Sequence, residues 1–346
     1  MTHKKANAFH LTKNATILTL GIFMMFGSSC KKSDTTDTYT GDWISSADFD
    51  GPGRTEAVSF VVGDHAYITS GYEKDDIRLT DTWSYDQNSS TWSLMASMPG
   101  VPRNSAVAFT IGTVAYVGTG YDGTNYLNDF YSYNTATNTW DTIANFTGTP
   151  RMGAVGFGLA NGKGYVGTGY DDDWQKDFWV YDPATNQWAQ SASYNGKKRT
   201  DAVAFVINNR AYLVSGTNNG TYNPDMWQFN PDNGTWAQER QIINVSDDSY
   251  DDLYTDIERS NATVFVMSGI AYMSTGTNNG VLASTWAYDP TQDLWTEKTG
   301  LEAAPREGAI SFSLNNRGYL GLGNNSSVRF DEMWEFAPNN TQVDNN

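Results

Sequence analysis

Apolar and polar residues alternate along most of the chain, and the alternation returns in a fixed unit. In residues 151–188, AVGFGL carries apolar side chains at alternate positions, the pattern of a strand with one buried face. Asn161-Gly162-Lys163 makes a turn, and GYVGTG is a second strand rich in small residues. YDDDWQK is a polar loop, DFWVYD alternates again, residues 183–186 turn back, and QWAQSA is a fourth strand. No window holds a helical period long enough to compete.

The unit occurs six times, each opening with Arg and an apolar run that closes on Phe: Arg54–Phe60, Arg103–Phe109, Arg151–Phe157, Arg199–Phe205, Arg259–Phe265 and Arg306–Phe312. A Tyr and a Gly stop follow, as in Tyr165 and Gly169, then a D-x-W-x-Y-like segment such as Asp177–Tyr181, then a lone Trp. The Arg-to-Arg steps are 49, 48, 48, 60 and 47 residues. A period of this length with four strands per unit predicts a propeller blade. The last unit lacks its fourth-strand Trp. Trp43 precedes Arg54 by 11 residues, the gap that separates Trp92 from Arg103 and Trp140 from Arg151. Residues near 41–48 are therefore expected to supply the outer strand of the last blade and close the ring, hiding the sheet edges.

The Gly stop after the second strand, the spaced Tyr and Trp, and the Y-[DN]-P turn resemble kelch repeats over about residues 41–338. Kelch repeats usually end strand two with paired glycines. Here the first of the pair is Ser70, Thr119, Thr168, Ser215, Thr275 or Leu322. The resemblance and the period together imply an all-β fold, a six-bladed kelch-type β-propeller with its last blade closed by an N-terminal strand near Trp43.

Residues 1–29 carry Lys4, Lys5 and Lys13, then an apolar run from Ala15 to Phe26, then small residues before Cys30. Basic, apolar, then small residues is the pattern of a signal peptide. Cys30, the chain's single Cys, resembles the lipidated Cys of a bacterial lipoprotein, with 30–40 as a polar tether. That implies export to the bacterial outer membrane or cell surface, with membrane contact only through the lipid. The alternative is an ordinary secreted protein with a spare Cys. Residues 339–346 are expected to be a disordered tail.

Charge and composition narrow the chemistry. Removing residues 1–29 removes three Lys and no acid, so the mature formal charge is 19 − 39 = −20. Such a field repels nucleic acid. His65 is the one His beyond the signal segment, so zinc sites and Ser–His–acid triads lack partners. Some kelch propellers are copper radical oxidases, which need His ligands and a Cys–Tyr crosslink. No Cys remains to form one, so that activity is disfavoured. Weak calcium candidates are Asp171, Asp172 and Asp173, and Asp247, Asp248 and Asp251 in a long insertion near 240–257. Calcium apart, no cofactor is expected, and solvated acidic loops are the plainer reading.

The first and third strands of a blade start on one face. Arg54, Arg103, Arg151, Arg199, Arg259 and Arg306 are expected there, around one mouth of the channel, where guanidinium groups suit a carboxylate or a polyol. An architectural role is the favoured reading for a residue repeated in every blade: pairing with Asp81, Asp129, Asp177, Asp225 and Asp331, with Thr285 at the equivalent place in blade five. On the same face, Tyr72, Tyr121, Tyr170 and Trp174 add loop aromatics suited to sugar faces or protein contact. The leading expectation is a monomeric, non-catalytic binding propeller for a glycan or an envelope partner protein. The alternative follows from the kelch resemblance, which includes envelope sugar mutarotases acting on sialic acid. Ring opening would then need Glu56, Asp201 and Glu307 as proton donor and acceptor.

Overall fold

Alternating burial organises the computed structural model, which describes residues 39–343; the expected signal peptide, Cys30 and the tether up to residue 38 lie outside the described residues. Blade one is built from Val58–Val62, His65–Thr69, Thr82–Asp86 and Thr91–Met95, antiparallel and in sequence order. Four more blades repeat that order, with innermost strands Val107–Ile111, Val155–Leu159, Val203–Ile207 and Thr263–Met267. The sixth blade runs from Ile310–Leu314 outward through Arg317–Gly321 and Met333–Ala337, and Asp42–Ser45 pairs with its third strand as the outermost. The expected closure is therefore present, with Trp43 opposite Phe336.

One aromatic arrangement joins every pair of blades and accounts for the repeated Phe and Tyr. Within a blade the two rings stack across the first two strands, as Phe60 does on Tyr67 at 5.2 Å and Phe157 on Tyr165 at 5.4 Å. The outer ring of the stack then meets an aromatic on the third strand of the next blade. Tyr67 meets Tyr133 at 5.7 Å, Tyr165 meets Phe229 at 5.1 Å, and Tyr319 meets Tyr85 across the blade six–blade one seam at 5.6 Å. Each stack buries large apolar area and meets its neighbour at a steep angle, 70°, 58° and 62° in these three pairs.

The closing strand is held by burial as well as pairing. Trp43 is fully buried, donates its indole N–H to the Thr299 carbonyl at 3.1 Å, and packs on Phe336 at 4.7 Å. The expected disordered tail is tied down as far as it is described: Gly41 N–H donates to the Asn340 carbonyl at 2.9 Å and Val343 N–H to Asp42 at 2.9 Å. Trp43→Ala should cost about 3–5 kcal/mol of stability, the range for emptying a fully buried Trp site. Urea unfolding of the variant beside the parent measures this; an unchanged midpoint would mean that the closing strand is not part of the cooperative fold.

Candidate functional site

All six repeated Arg are fully buried, not displayed at the channel mouth. Each guanidinium is spent on acceptors within the fold. Arg54 forks onto Asp81 at 2.6 and 2.7 Å, Arg103 onto Asp129 at 2.5 and 2.6 Å, and Arg151 onto Asp177 at 2.6 and 3.0 Å. Arg199 pairs with Asp225 and Arg306 with Glu332. Two sequence assignments therefore shift by one residue: Glu332, not Asp331, is the acid of blade six, and Ser284, not Thr285, stands at the equivalent place in blade five. There the carboxylate comes from the long insertion. Asp256 bonds Arg259 at 3.1 Å, Ser284 at 2.6 Å and the Trp286 indole at 2.7 Å.

The same pocket explains the D-x-W pattern. Trp83, Trp179 and Trp227 each donate the indole N–H to the carboxylate two residues earlier, at 2.6, 2.7 and 2.7 Å, and Tyr131 does so with its hydroxyl at 2.8 Å. Each Arg also donates to the carbonyl of the residue before the Gly stop, as Arg151 does to Thr168 at 2.9 Å. That residue is left-handed in all six blades (Ser70, Thr119, Thr168, Ser215, Thr275 and Leu322, φ 59 to 63°), a conformation that ordinarily favours Gly. The Arg bond secures it, which is how these blades dispense with the first Gly of the usual pair.

The mouth itself is ringed by the second residue after each Arg: Glu56, Ser105, Gly153, Asp201, Asn261 and Gly308, all with positive φ. Their backbones form a closed cycle of hydrogen bonds. Ser105 N–H donates to the Glu56 carbonyl at 3.0 Å, Gly153 to Ser105 at 3.0 Å and Asp201 to Gly153 at 2.9 Å. Asn261 donates to Asp201 at 3.1 Å, Gly308 to Asn261 at 3.0 Å and Glu56 to Gly308 at 2.9 Å. With the Ala that follows each, these residues line a cup of about 150 Å³. A Cβ on Gly153 would run into Thr200 Oγ1 and Asp201 Oδ1, so the Asp201 carboxyl lies over that glycine. Burial, then the Glu56 and Glu307 charges, push Asp201 up to about 7. Burial and Glu56 also raise Glu307, while Glu56 accepts from Asn104 Nδ2 at 2.6 Å and from the Ser105 hydroxyl. The three acids considered in the sequence thus influence one another at one mouth.

Outside the cup, short hairpins pinned to the residue after each Arg form the rim. Tyr72 bridges Thr55 and Arg78, Tyr121 bridges Asn104 and Tyr126, and Tyr170 bridges Met152 and Trp174. The four aromatics expected on this face are there, and two cations join them. Arg78 lies over Tyr72 at 5.7 Å and over Tyr121 at 5.2 Å; Arg329 lies over Tyr72 at 4.8 Å. Arg78 Nε donates to Asn104 at 2.6 Å, and Arg329 Nη1 to the Ser326 carbonyl at 3.0 Å, while Arg329 Nε is buried without a partner. Sequence reading missed both because only the six periodic Arg drew attention. Their signal was position, on the return arm of the loop in line with Tyr126 and Trp174.

A family model, the KLHDC2/KLHL20/DRC7 Kelch-repeats domain, matches residues 14–198, which is 185 of 346 residues and more than half the chain. The chain belongs to the kelch-repeat family. No curated protein matches it in sequence. Among solved structures, that of YjhT is similar at TM-score 0.69 and 16% identity, over 83% of this chain and 96% of that one, a likeness of fold.

In the blade-three loop of this kelch propeller the acids are committed internally. Asp171 accepts from Gln175 at 2.6 Å, Asp172 from the Tyr126 hydroxyl at 3.2 Å, and Asp173 pairs with Lys198. In the insertion, Asp247 and Asp248 are exposed, while buried Asp251 accepts from the N–H groups of Val245 at 2.9 Å and Ser246 at 2.8 Å. Among the described residues no group of three or more His, Cys, Asp or Glu is gathered to hold a metal. His65 opens the second strand of blade one and pairs with Asp64 at 2.7 Å.

Two consequences are measurable. Arg151→Ala leaves Asp177 half-buried beside an empty site and should cost about 3–5 kcal/mol in denaturant unfolding. Equal stability of variant and parent would contradict the architectural role. Asp201 carries the opposite pH signature from Asp177. Burial raises Asp177, but the Arg151 bonds and charge outweigh it and hold it below the usual range, so its stabilisation is present above about pH 4 and lost as pH falls. Asp201, raised to about 7, favours the fold when neutral, and that stability is lost as pH rises from about 4 through 7. Asp201→Asn should therefore melt higher than the parent at pH 8 and equal to it at pH 4.5; a constant offset at both would sink the assignment.

Proposed function

We propose that this propeller binds a glycan carrying a negative group, held on the loop face at the channel mouth. The observation that carries the reading is the pairing of Arg78 and Arg329 with Tyr72, beside the acid-lined cup. A guanidinium with free donors takes a carboxylate in a fork, an aromatic face takes the apolar side of a sugar, and Asn and acid groups take hydroxyls. The six periodic Arg take no part, because a fully buried guanidinium already bonded to a carboxylate and a carbonyl has nothing to offer a ligand. A glycan is favoured over a protein partner by the small, polar cup, which a flat protein surface would leave empty. The sequence signal at residues 1–30 keeps the reading of an exported lipoprotein held by Cys30.

The second reading is acid–base opening of a sugar ring. It draws support from Asp201 near 7 and a raised Glu307 at the same mouth, since a proton donor and acceptor near the working pH favour proton transfer. Thermal melting with sialic acid, glucuronic acid and lactose tests binding. A ligand at one hundred times its dissociation constant adds about 2.7 kcal/mol. The acidic sugars should raise Tm, and Arg78→Ala or Arg329→Ala should abolish that rise while leaving the ligand-free Tm near the parent's. No rise with either acidic sugar would overturn the reading. Anomer exchange followed by NMR separates the second reading: acceleration lost in Asp201→Asn supports catalysis, and an unaccelerated rate excludes it.

A further inference from the structure

The rim is lopsided. After the Gly stop, blades one to three carry Tyr72, Tyr121 and Tyr170, whereas blades four to six carry Thr217, Thr277 and Asn324. The aromatic rings form a continuous line rather than scattered platforms. From Tyr121 the line runs to Tyr126 at 5.6 Å, to Tyr170 at 5.9 Å and to Trp174 at 5.2 Å. Its inner end adjoins Arg78, over Tyr121, and beyond that Tyr72 and Arg329. Between blades two and three it borders a recess of about 640 Å³ lined by Tyr121, Tyr126, Thr149, Asp171 and Asp172. The recess is larger than the cup and lies off the propeller axis.

Charge changes sign along this line. The inner end holds two guanidinium groups; the outer end holds Asp171 and Asp172, with Asp173 paired to Lys198. A ligand that fits both ends has an anionic terminus inside and an uncharged, hydroxyl-rich body outside. A polyanionic chain fits the inner end and is repelled by the outer one. Aromatic rings in series, flanked by carboxylate, amide and hydroxyl acceptors, suit successive sugar rings, each laying an apolar face on an aromatic and turning its hydroxyls to polar groups.

We propose that the aromatic line from Tyr121 to Trp174 is an extended glycan track that takes the neutral residues of an oligosaccharide whose acidic terminal sugar sits at Arg78 and Arg329. This rests on the reading of the mouth as an acidic-glycan site and adds the ligand's length, direction and charge pattern. The asymmetry after the Gly stop follows from it: an elongated ligand lies over half of the ring, and in blades four to six the hairpins keep Tyr222, paired with Thr217, whose hydroxyl accepts from the Asn279 N–H at 3.2 Å.

The test compares dissociation constants, by calorimetry on the full chain, for sialic acid against sialyl-lactose and glucuronic acid against glucuronosyl-xylotriose. Lactose and xylotriose serve as neutral controls. The acid-capped oligosaccharides should bind about tenfold tighter than the free acids. Trp174→Ala and Tyr126→Ala should remove that advantage and leave the free acid's constant unchanged, which also shows that the variants fold. Arg78→Ala should weaken both. Equal binding of free acid and oligosaccharide, insensitive to Trp174→Ala, overturns the track while the mouth site stands. Tighter binding of a neutral oligosaccharide than of its acid-capped form overturns the proposed direction. Absence of binding by any acidic sugar overturns the mouth site and the track together.

Discussion

A guanidinium removed wholly from water must be neutralised and have its donors satisfied, and this chain does so once in every blade. Much of the repeated sequence is there to meet that demand. The carboxylate neutralises the charge, the left-handed residue before the Gly stop turns its carbonyl toward Nη1, and the aromatic of D-x-W holds the carboxylate from behind. An aromatic ring often covers the guanidinium as well, as Phe146 does Arg151 at 5.0 Å and Phe330 does Arg306 at 4.0 Å. Blade five shows how binding the constraint is. Its third strand has Ser284 in place of the acid, and a carboxylate is brought in from the insertion instead. That segment, an irregularity of 12 residues in the repeat, completes the buried network through Asp256.

With the Arg pockets fixing where each innermost strand starts, the residues two places later meet around the axis and close their backbone cycle. Because that cycle uses only N–H and C=O, its side chains are free to differ: Glu, Ser, Gly, Asp, Asn and Gly. The architecture repeats sixfold while the chemistry at its centre does not, which is the usual division in repeat scaffolds between the frame and the loops that bear function.

The blades and their closure were legible in the sequence because strand alternation and a period near 48 residues are local signals, and Trp43 stood at the spacing that four of its five counterparts share. The loop aromatics were legible for the same reason, as residues following a recognisable Gly. Burial of the Arg was not, since periodicity says that a residue is repeated and not which way it points. Asp256 was hidden because it lies upstream of its Arg while every other partner lies downstream. Arg78 and Arg329 were hidden because the loops vary in length when counted from the Gly stop; counted back from the acid, each stands three residues before Asp81 or Glu332, as Tyr126 and Trp174 do before Asp129 and Asp177.

Arg of one type thus serves two unlike purposes, and burial separates them. In the pockets a guanidinium is desolvated, bonded on several sides and inseparable from the fold; loss of its partner leaves an uncompensated charge. On the rim, Arg78 and Arg329 rest on tyrosine faces with donors to spare, held by a few bonds to loop carbonyls and one amide. Stacking keeps each head in position at small entropic cost while leaving its edge free, the arrangement that preorganises a fork for an incoming carboxylate. The acids of the mouth lie close enough to disfavour each other's charge, and Arg329 draws Glu307 toward its charged form. An anion seated on the Arg pair would compete for that attraction and favour protonation of the acids beneath it. Ligand charge and the protonation state of the mouth are therefore coupled through a handful of side chains.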